Sequence, residues 1–231
     1  MSKTRFRVAT FNIHGGRPIT GPVDLPAIAG AVRALEADVI ALQEVHHYLP
    51  PPGVFQNQPR RLQTLLERPV TFRRSFGVGK TGYGNALVSE IAPERVRRHL
   101  LPSKGEQRAL VEYWLKIQGR VVRVFNTHFG LTPEQRQAQS QTVLEVLAAD
   151  PIPTVLLGDL NAVPDASEIR LLLDAGLHHA APTELLTFPS DRPTQRIDYV
   201  LVTSQFEVAD GLTVATPASD HLPLVADLIL P

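Results

Sequence analysis

Apolar positions recur along this chain in two alternating rhythms. Arg7 to Ile13 reads as a strand. From Leu25 to Glu36 the spacing changes, with Leu25, Ile28, Ala29, Val32 and Leu35 on one face of a helix. Asp38 to Glu44 (DVIALQE) is then an apolar strand that terminates in an acid. The same succession returns later. Arg120 to Thr127 is a strand, and Pro133 to Ala149 a helix, with Thr132 as its cap and proline in its first turn. The apolar run Thr154 to Leu157 then enters Gly158-Asp159-Leu160-Asn161. Between the two units, Thr81 to Ser89 and Ala109 to Ile117 read as further strands. Ser167 to Ala175 reads as a short helix, and Arg196 to Val202 and Leu222 to Leu230 as closing strands.

Strand, helix and acid-tipped strand thus occur twice. Phe11-Asn12-Ile13-His14-Gly15-Gly16 and Phe125-Asn126-Thr127-His128-Phe129-Gly130 stand at equivalent places. This predicts two similar α/β halves packed together, with strands ending toward a shared face. Pro50-Pro51-Pro52-Gly53 reads as a loop and not a linker, because no second core begins there, so residues 1–231 are expected to form one domain.

The polar residues at the strand ends carry the chemistry. Residues two apart on a strand point to the same side, so an extended path through Asn161 would aim Asp159 and Asn161 at one spot; the alternative is a turn in which both cap backbone groups. Asn12, Glu44, His128, Asp198 and the pair Asp220-His221 also lie at or near strand ends. Asp198 sits in the otherwise apolar run RIDYVLV, where an unpaired charge is costly, and a histidine would serve as its partner. Each residue alone could be a turn former or a cap; spread over the whole chain, they point jointly to a site. Arg108 and Arg196 read either as salt bridges between strands or as contacts to a substrate phosphate. His14, His46-His47 and His178-His179 suggest zinc ligands, but adjacent histidines point apart, which assigns them to surface or loop.

Composition narrows the class. The chain has 231 residues, 43% hydrophobic and 20% charged, enough for a sizeable core. With no cysteine, disulfides, thiolate metal sites and cysteine nucleophiles are excluded. MSKTRFRVATFNIHGG passes from charge straight into a strand pattern without an apolar segment of signal length, and no stretch is long enough to span a bilayer, which favours a cytoplasmic location. Net charge is zero, yet residues 60 to 108 hold eleven Lys/Arg against four Asp/Glu. That asymmetry reads either as an approach path for an anion or as scattered surface arginines.

The stretches TFNIHGG, ALQEV, GNALVS, NTHFG, GDLNAVPD, RIDYVLV and SDHLPLVADL, in this order over almost the full chain, resemble the endonuclease/exonuclease/phosphatase superfamily. GDLN and SDHLP together are its most specific signal. The resemblance implies a four-layer α/β sandwich, two mixed sheets face to face with helices outside, and a phosphoesterase dependent on Mg²⁺ or Mn²⁺. It implies Glu44 as main metal ligand with Asn12 and Asp220 nearby, Asp159 as the residue that orients and deprotonates the attacking water, and Asn161 as the group that steadies that water or the phosphate. It implies His221 as the phosphate-contacting histidine, oriented by Asp198, and Arg108 and Asn85 on the substrate side. His128 stands where the nuclease and sphingomyelinase branches carry histidine and the abasic-site branch tyrosine, which disfavours an abasic-site role.

The residue chemistry agrees independently: hard oxygen and amide ligands suit Mg²⁺ or Mn²⁺, which retain waters and accept phosphate oxygens. Asp159 beside such a charge is expected to stay ionised. A catalytically silent phosphate-binding module is the competing class, and a nuclease the competing substrate reading. Zero net charge and 6% aromatic residues favour a phosphorylated small molecule or lipid head group over duplex DNA, acted on by a monomer. Selectivity is expected in the loops Gly15 to Asp24, His46 to Pro59, Phe76 to Tyr83 and Ala181 to Pro193.

Overall fold

The computed structural model describes residues 4–49 and 56–230; the proline-rich loop at 50–53 lies outside them. One sheet is built from β1 (Thr4–Asn12), β2 (Val39–His47), β3 (Val70–Phe76), β4 (Gly82–Ser89), β11 (Glu207–Thr213) and β12 (Leu224–Leu230). The other holds β5 (Arg95–Leu100), β6 (Ala109–Ile117), β7 (Arg120–His128), β8 (Thr154–Asp159), β9 (Leu177–His179) and β10 (Asp198–Thr203). Helices α1 (Leu25–Ala34) and α2 (Gln58–Leu66) accompany the first sheet, and α3 (Pro133–Ala148) and α4 (Ser167–Asp174) the second. The strand orders are β11-β12-β1-β2-β4-β3 and β5-β6-β7-β8-β10-β9.

The two repeated units are the two parallel pairs, β1 with β2 across α1 and β7 with β8 across α3; the other pairings are antiparallel. Asp24 caps α1 by accepting from Ala27 N–H at 2.9 Å, and the Thr132 hydroxyl accepts from Gln135 N–H at the start of α3. Gly158 is required where β8 passes β7, because a Cβ there would run into the carbonyl oxygen of Thr127.

Strand alternation sorts the side chains into layers. On β1, Phe6 and Val8 enter the core between the sheets, while Ala9 and Phe11 pack under α1. On β7, β8 and β10, Val122 and Val124, Val155 and Leu157, and Val200 and Val202 face the other sheet; Phe125, Leu156, Tyr199 and Leu201 pack on the side of α3 and α4. The result is the expected four-layer α/β sandwich.

Strands that carried no apolar alternation were missed. Arg95, Arg97 and Arg98 lie on β5, and Arg73 and Arg74 on β3; both are edge strands. Charged edges blunt pairing with other chains, and that charge hides the strand pattern. Among the described residues no helix is long and apolar enough to cross a membrane.

Candidate active site

At one end of the sandwich the inter-sheet core changes from apolar to polar without any change in strand geometry. Counting by twos from Val8, Val124, Leu157 and Val200 along their strands brings Asn12, His128, Asp159 and Asp198 onto the same inward faces. All four are buried, Asp198 completely. Just below them Gln43 Nε2 donates to Asn126 Oδ1 at 2.9 Å, and Asn126 Nδ2 donates to the carbonyl of Ala86 at 2.9 Å, tying the two sheets together.

Glu44 reaches this cluster by a different route. It is not at the end of its strand, which continues to His47. Ile40 and Leu42 face the helices, so plain alternation would send Glu44 there too; instead Val45 takes that side. The register slips between Leu42 and Val45, and Glu44 has φ +58°. It is the extra residue of a β-bulge, and the bulge turns its carboxylate into the cluster. There Asn12 Nδ2 donates to Glu44 Oε1 at 3.1 Å and to Asp159 Oδ2 at 3.0 Å. Asn12 Oδ1 accepts from His14 N–H at 3.0 Å, which fixes the orientation of the amide. Asn12 therefore stands as a donor between two carboxylates, with its nitrogen toward them and not its oxygen.

The question of Asp159 and Asn161 resolves as a turn that also borders the site. Asn161 has φ +49°, so the extended path stops; its N–H bonds Asp159 Oδ1 at 2.9 Å and its Nδ2 donates to the Phe129 carbonyl at 3.0 Å. Asp198 has the histidine partner it needs: His221 Nδ1 lies 2.9 Å from its Oδ2, while its Oδ1 is buried without a partner. Asp220 lines the cleft, 3.6 Å from His14 Nδ1.

His128 is held in one tautomer. Arg108 Nη1 is 3.0 Å from both His128 Nδ1 and the Tyr83 hydroxyl. A guanidinium only donates, so Nδ1 accepts and the ring proton sits on Nε2, 3.4 Å from Asp159 Oδ2. Burial, helped by the Arg108 charge, holds His128 well below the ordinary histidine value, and the ring is neutral.

Burial also raises Glu44 above the usual carboxylate range, and burial together with Asp198 pushes Asp159 up to about 7. Burial thus works against the charge that Asp159 is expected to keep beside a cation. His221 goes the other way. Burial opposes its charge, yet Asp198, Asp159 and Asp220 hold it up to about 10, so it is an imidazolium at neutral pH.

Three further readings are corrected. Asn85 is buried between the sheets, its Nδ2 on the carbonyls of Ala109 and Asn126, and it does not line the cleft. Arg196 is also buried; it binds the carbonyls of Ala181 and Pro182 and lies over the Tyr199 ring, and among the described residues it makes neither a strand-to-strand salt bridge nor a cleft contact. His46 is not in a loop: it is a half-buried residue of β2 that lines the cleft. Tyr83 lines it as well and carried no sequence signal beyond a tyrosine between two glycines.

A cleft of about 610 Å³ opens over these groups. Its only lysine or arginine among the described residues is Arg108, paired to Glu106 at 2.6 Å.

The fold agrees with the comparisons. The profile of the Endonuclease/Exonuclease/phosphatase family matches residues 9–221. The chain belongs to that family, whose members are hydrolases acting on phosphoester bonds. Its relatives include the uncharacterized protein YbhP of Escherichia coli K12, 28% identical over 97% of this chain and 96% of YbhP. An endonuclease/exonuclease/phosphatase structure from Beutenbergia cavernae matches with a TM-score of 0.82 and 28% identity, over 98% of this chain and 72% of that one. The mannosyl-6-phosphatase Bt3783 of Bacteroides thetaiotaomicron, 19% identical over 96% of this chain and 99% of that one, shares the fold at a TM-score of 0.77.

Proposed function

We propose that the protein is a divalent-metal-dependent phosphoesterase that hydrolyses esters bearing a single phosphate, by attack of a water held at Asp159. The observation that carries this reading is a buried carboxylate, Asp159, fixed by Asn12, Asn161 and His128 and standing 3.8 Å from the charged His221.

A cation fits the residues present. Burial raises both Glu44 and Asp159, and the charges of Asp220 on the first and Asp198 on the second add to the rise, so a cation among these carboxylates would relieve their crowding. Ligand atoms of Asp159, Asp198 and His221 also lie within 4.8 Å of one another, but Asp198 and His221 already bind each other. Glu44 and Asp220 are the better pair to hold Mg²⁺ or Mn²⁺. When bound there, such a cation neutralises a phosphoryl oxygen and the charge that develops during attack.

The remaining steps belong to side chains. Asp159 orients the water and takes its proton as the oxygen bonds to phosphorus and the ester P–O bond breaks. His221 donates from Nε2 to a phosphoryl oxygen, and Asp198 keeps its ring in register. Arg108 and Tyr83 position His128, whose Nε2–H steadies Asp159; Asn161 closes the turn around the same carboxylate.

Among the described residues the cleft lining holds no lysine and one arginine, already paired, which favours one phosphate over a polyanion. Arg95 and Arg97 lie over the Trp114 ring at 5.3 and 5.2 Å, and Arg98 donates to the Arg74 carbonyl at 2.8 Å; none of the three lines the cleft. The mannosyl-6-phosphatase relative, by its name, acts on a phosphorylated sugar. The test is hydrolysis of p-nitrophenyl phosphate and bis-p-nitrophenyl phosphate beside plasmid nicking, with Mg²⁺, Mn²⁺ or chelator, at low and moderate salt. Metal-dependent ester hydrolysis with weak nicking supports the reading; efficient nicking at moderate salt with inert esters makes the protein a nuclease instead.

A further inference from the structure

The cleft has a second lining that this chemistry leaves unused. Phe76, at the end of β3, is 49% exposed, and Leu131, beyond β7, is 72% exposed. Both line the cleft, together with Leu49, Phe188 and Ile197. Phe76 ends β3 and Leu49 follows β2 in the first sheet, while the others lie in loops of the second, so the apolar positions converge on the cleft from both sides. Single exposed apolar residues are ordinary on a protein surface. Five on one cleft, beside a compact polar cluster, have the composition of a ligand pocket, with apolar walls and a few convergent polar groups.

Size and charge narrow the occupant. Clefts of roughly 300–1,000 Å³ bury whole small molecules, and this one measures about 610 Å³, so a lone phosphate would leave most of it unfilled. Among the described residues the single lining guanidinium is already paired with Glu106, which leaves no arginine or lysine there for a second anionic group. A polyol would find Glu106 and Gln195 in the lining, but no hydrogen-bond partner on the wall that the five apolar side chains form.

The wall is also preformed next to the acids. The His46 ring packs against the Tyr83 ring, with centroids 5.6 Å apart, and over Gly15, where a Cβ would collide with the imidazole. His46 N–H bonds Gln58 Oε1 at 2.8 Å, and Gln58 Nε2 bonds the Gly15 carbonyl at 2.6 Å, so backbone and ring are both held.

We infer that the substrate phosphate carries an uncharged aromatic or alkyl group, and that Phe76 and Leu131 determine specificity for it in a subsite continued by Leu49, His46 and Tyr83. The inference rests on the phosphoester reading for the position of the phosphate.

Phenylphosphonate and methylphosphonate present the same charged head with different organic groups and resist hydrolysis, so their binding to the full chain in Mg²⁺, read by calorimetry, isolates the subsite. Phenylphosphonate should bind at least about tenfold tighter, as expected for burying a ring against apolar walls. Phe76→Ser and Leu131→Ser, at exposed positions where folding is not at stake, should each cut that preference about threefold, and the double variant should bring it close to unity. Equal affinities in the parent, no binding of phenylphosphonate, or a preference that survives the double substitution would each overturn the inference. If the phenyl preference holds while no phosphoester is hydrolysed, the subsite stands and the reaction falls.

Discussion

Asp198 Oδ2 and His221 Nδ1 are 2.9 Å apart, and the aspartate making this contact has no exposed surface. It continues the face of Val200 and Val202, and its second oxygen has no partner. A bare carboxylate is costly in such a place, and the charge on His221 is what compensates it. Asp198→Asn keeps an acceptor for Nδ1–H but removes the charge that, with Asp159 and Asp220, holds His221 up to about 10 against burial. With its folded-state value raised, the charged ring stabilises the fold below the ordinary histidine value, and that contribution is lost as pH rises through about 10. In the variant the loss moves to lower pH. NMR titration should show the shift, and turnover should fall at least about tenfold, roughly 1.4 kcal/mol of barrier. An unmoved titration with unchanged turnover would make Asp198 a structural residue only.

Arg108→Met tests how His128 is held. Removing the guanidinium 3.0 Å from Nδ1 takes away a donor and a positive charge that lowers the ring's pKa. His128 should titrate higher than in the parent, and its proton should no longer be confined to Nε2, as nitrogen chemical shifts would report. Turnover should drop about tenfold or more, the scale for losing a group that orients a functional histidine. Nitrogen shifts identical to the parent's would show that Tyr83 alone, 3.1 Å from Nδ1, sets the tautomer.

The strand-end residues were legible because alternation carries them: Asn12, His128, Asp159 and Asp198 extend the inward faces of apolar strands, and that pattern is written in the chain. Glu44 was legible as an acid after an apolar run, but its direction was not, because one bulged residue reverses the alternation. Asn85 misled for the opposite reason. A polar residue in an apolar strand can face either a cleft or the other sheet, and here it meets the Ala109 carbonyl at 3.3 Å. The arginines of β3 and β5 concealed edge strands, and α2 (QPRRLQTLL) has too few apolar residues to show a helical period.

Asp227 offers a check on the fold away from the cleft. It faces Arg7 directly across β1 and β12, accepting from Nε at 2.8 Å and Nη2 at 2.9 Å, with Arg5 at 3.3 Å. The hydrogen bonds from Arg7 hold its carboxyl below the usual range. Its contribution is therefore present above the unfolded carboxylate value and lost as pH falls through the lower folded value. Asp227→Asn should cost about 1–2 kcal/mol at neutral pH, the scale of a charge-assisted pair. Urea midpoints of parent and variant should converge in acid. A gap that persists there would assign the effect to packing.

The most direct test of the central claim is the initial rate of phosphoester hydrolysis against Mg²⁺ concentration, for the parent and for Glu44→Gln. The substitution keeps the size of a side chain whose charge is disfavoured by burial, so thermal stability should be unchanged or slightly raised. The parent's rate should rise to saturation with Mg²⁺ and vanish with chelator, and the variant should lose at least about a hundredfold at every Mg²⁺ concentration, roughly 2.7 kcal/mol of barrier. A folded variant that matches the parent at saturating Mg²⁺, or a parent whose rate ignores the chelator, would contradict a metal-assisted reaction at this cleft.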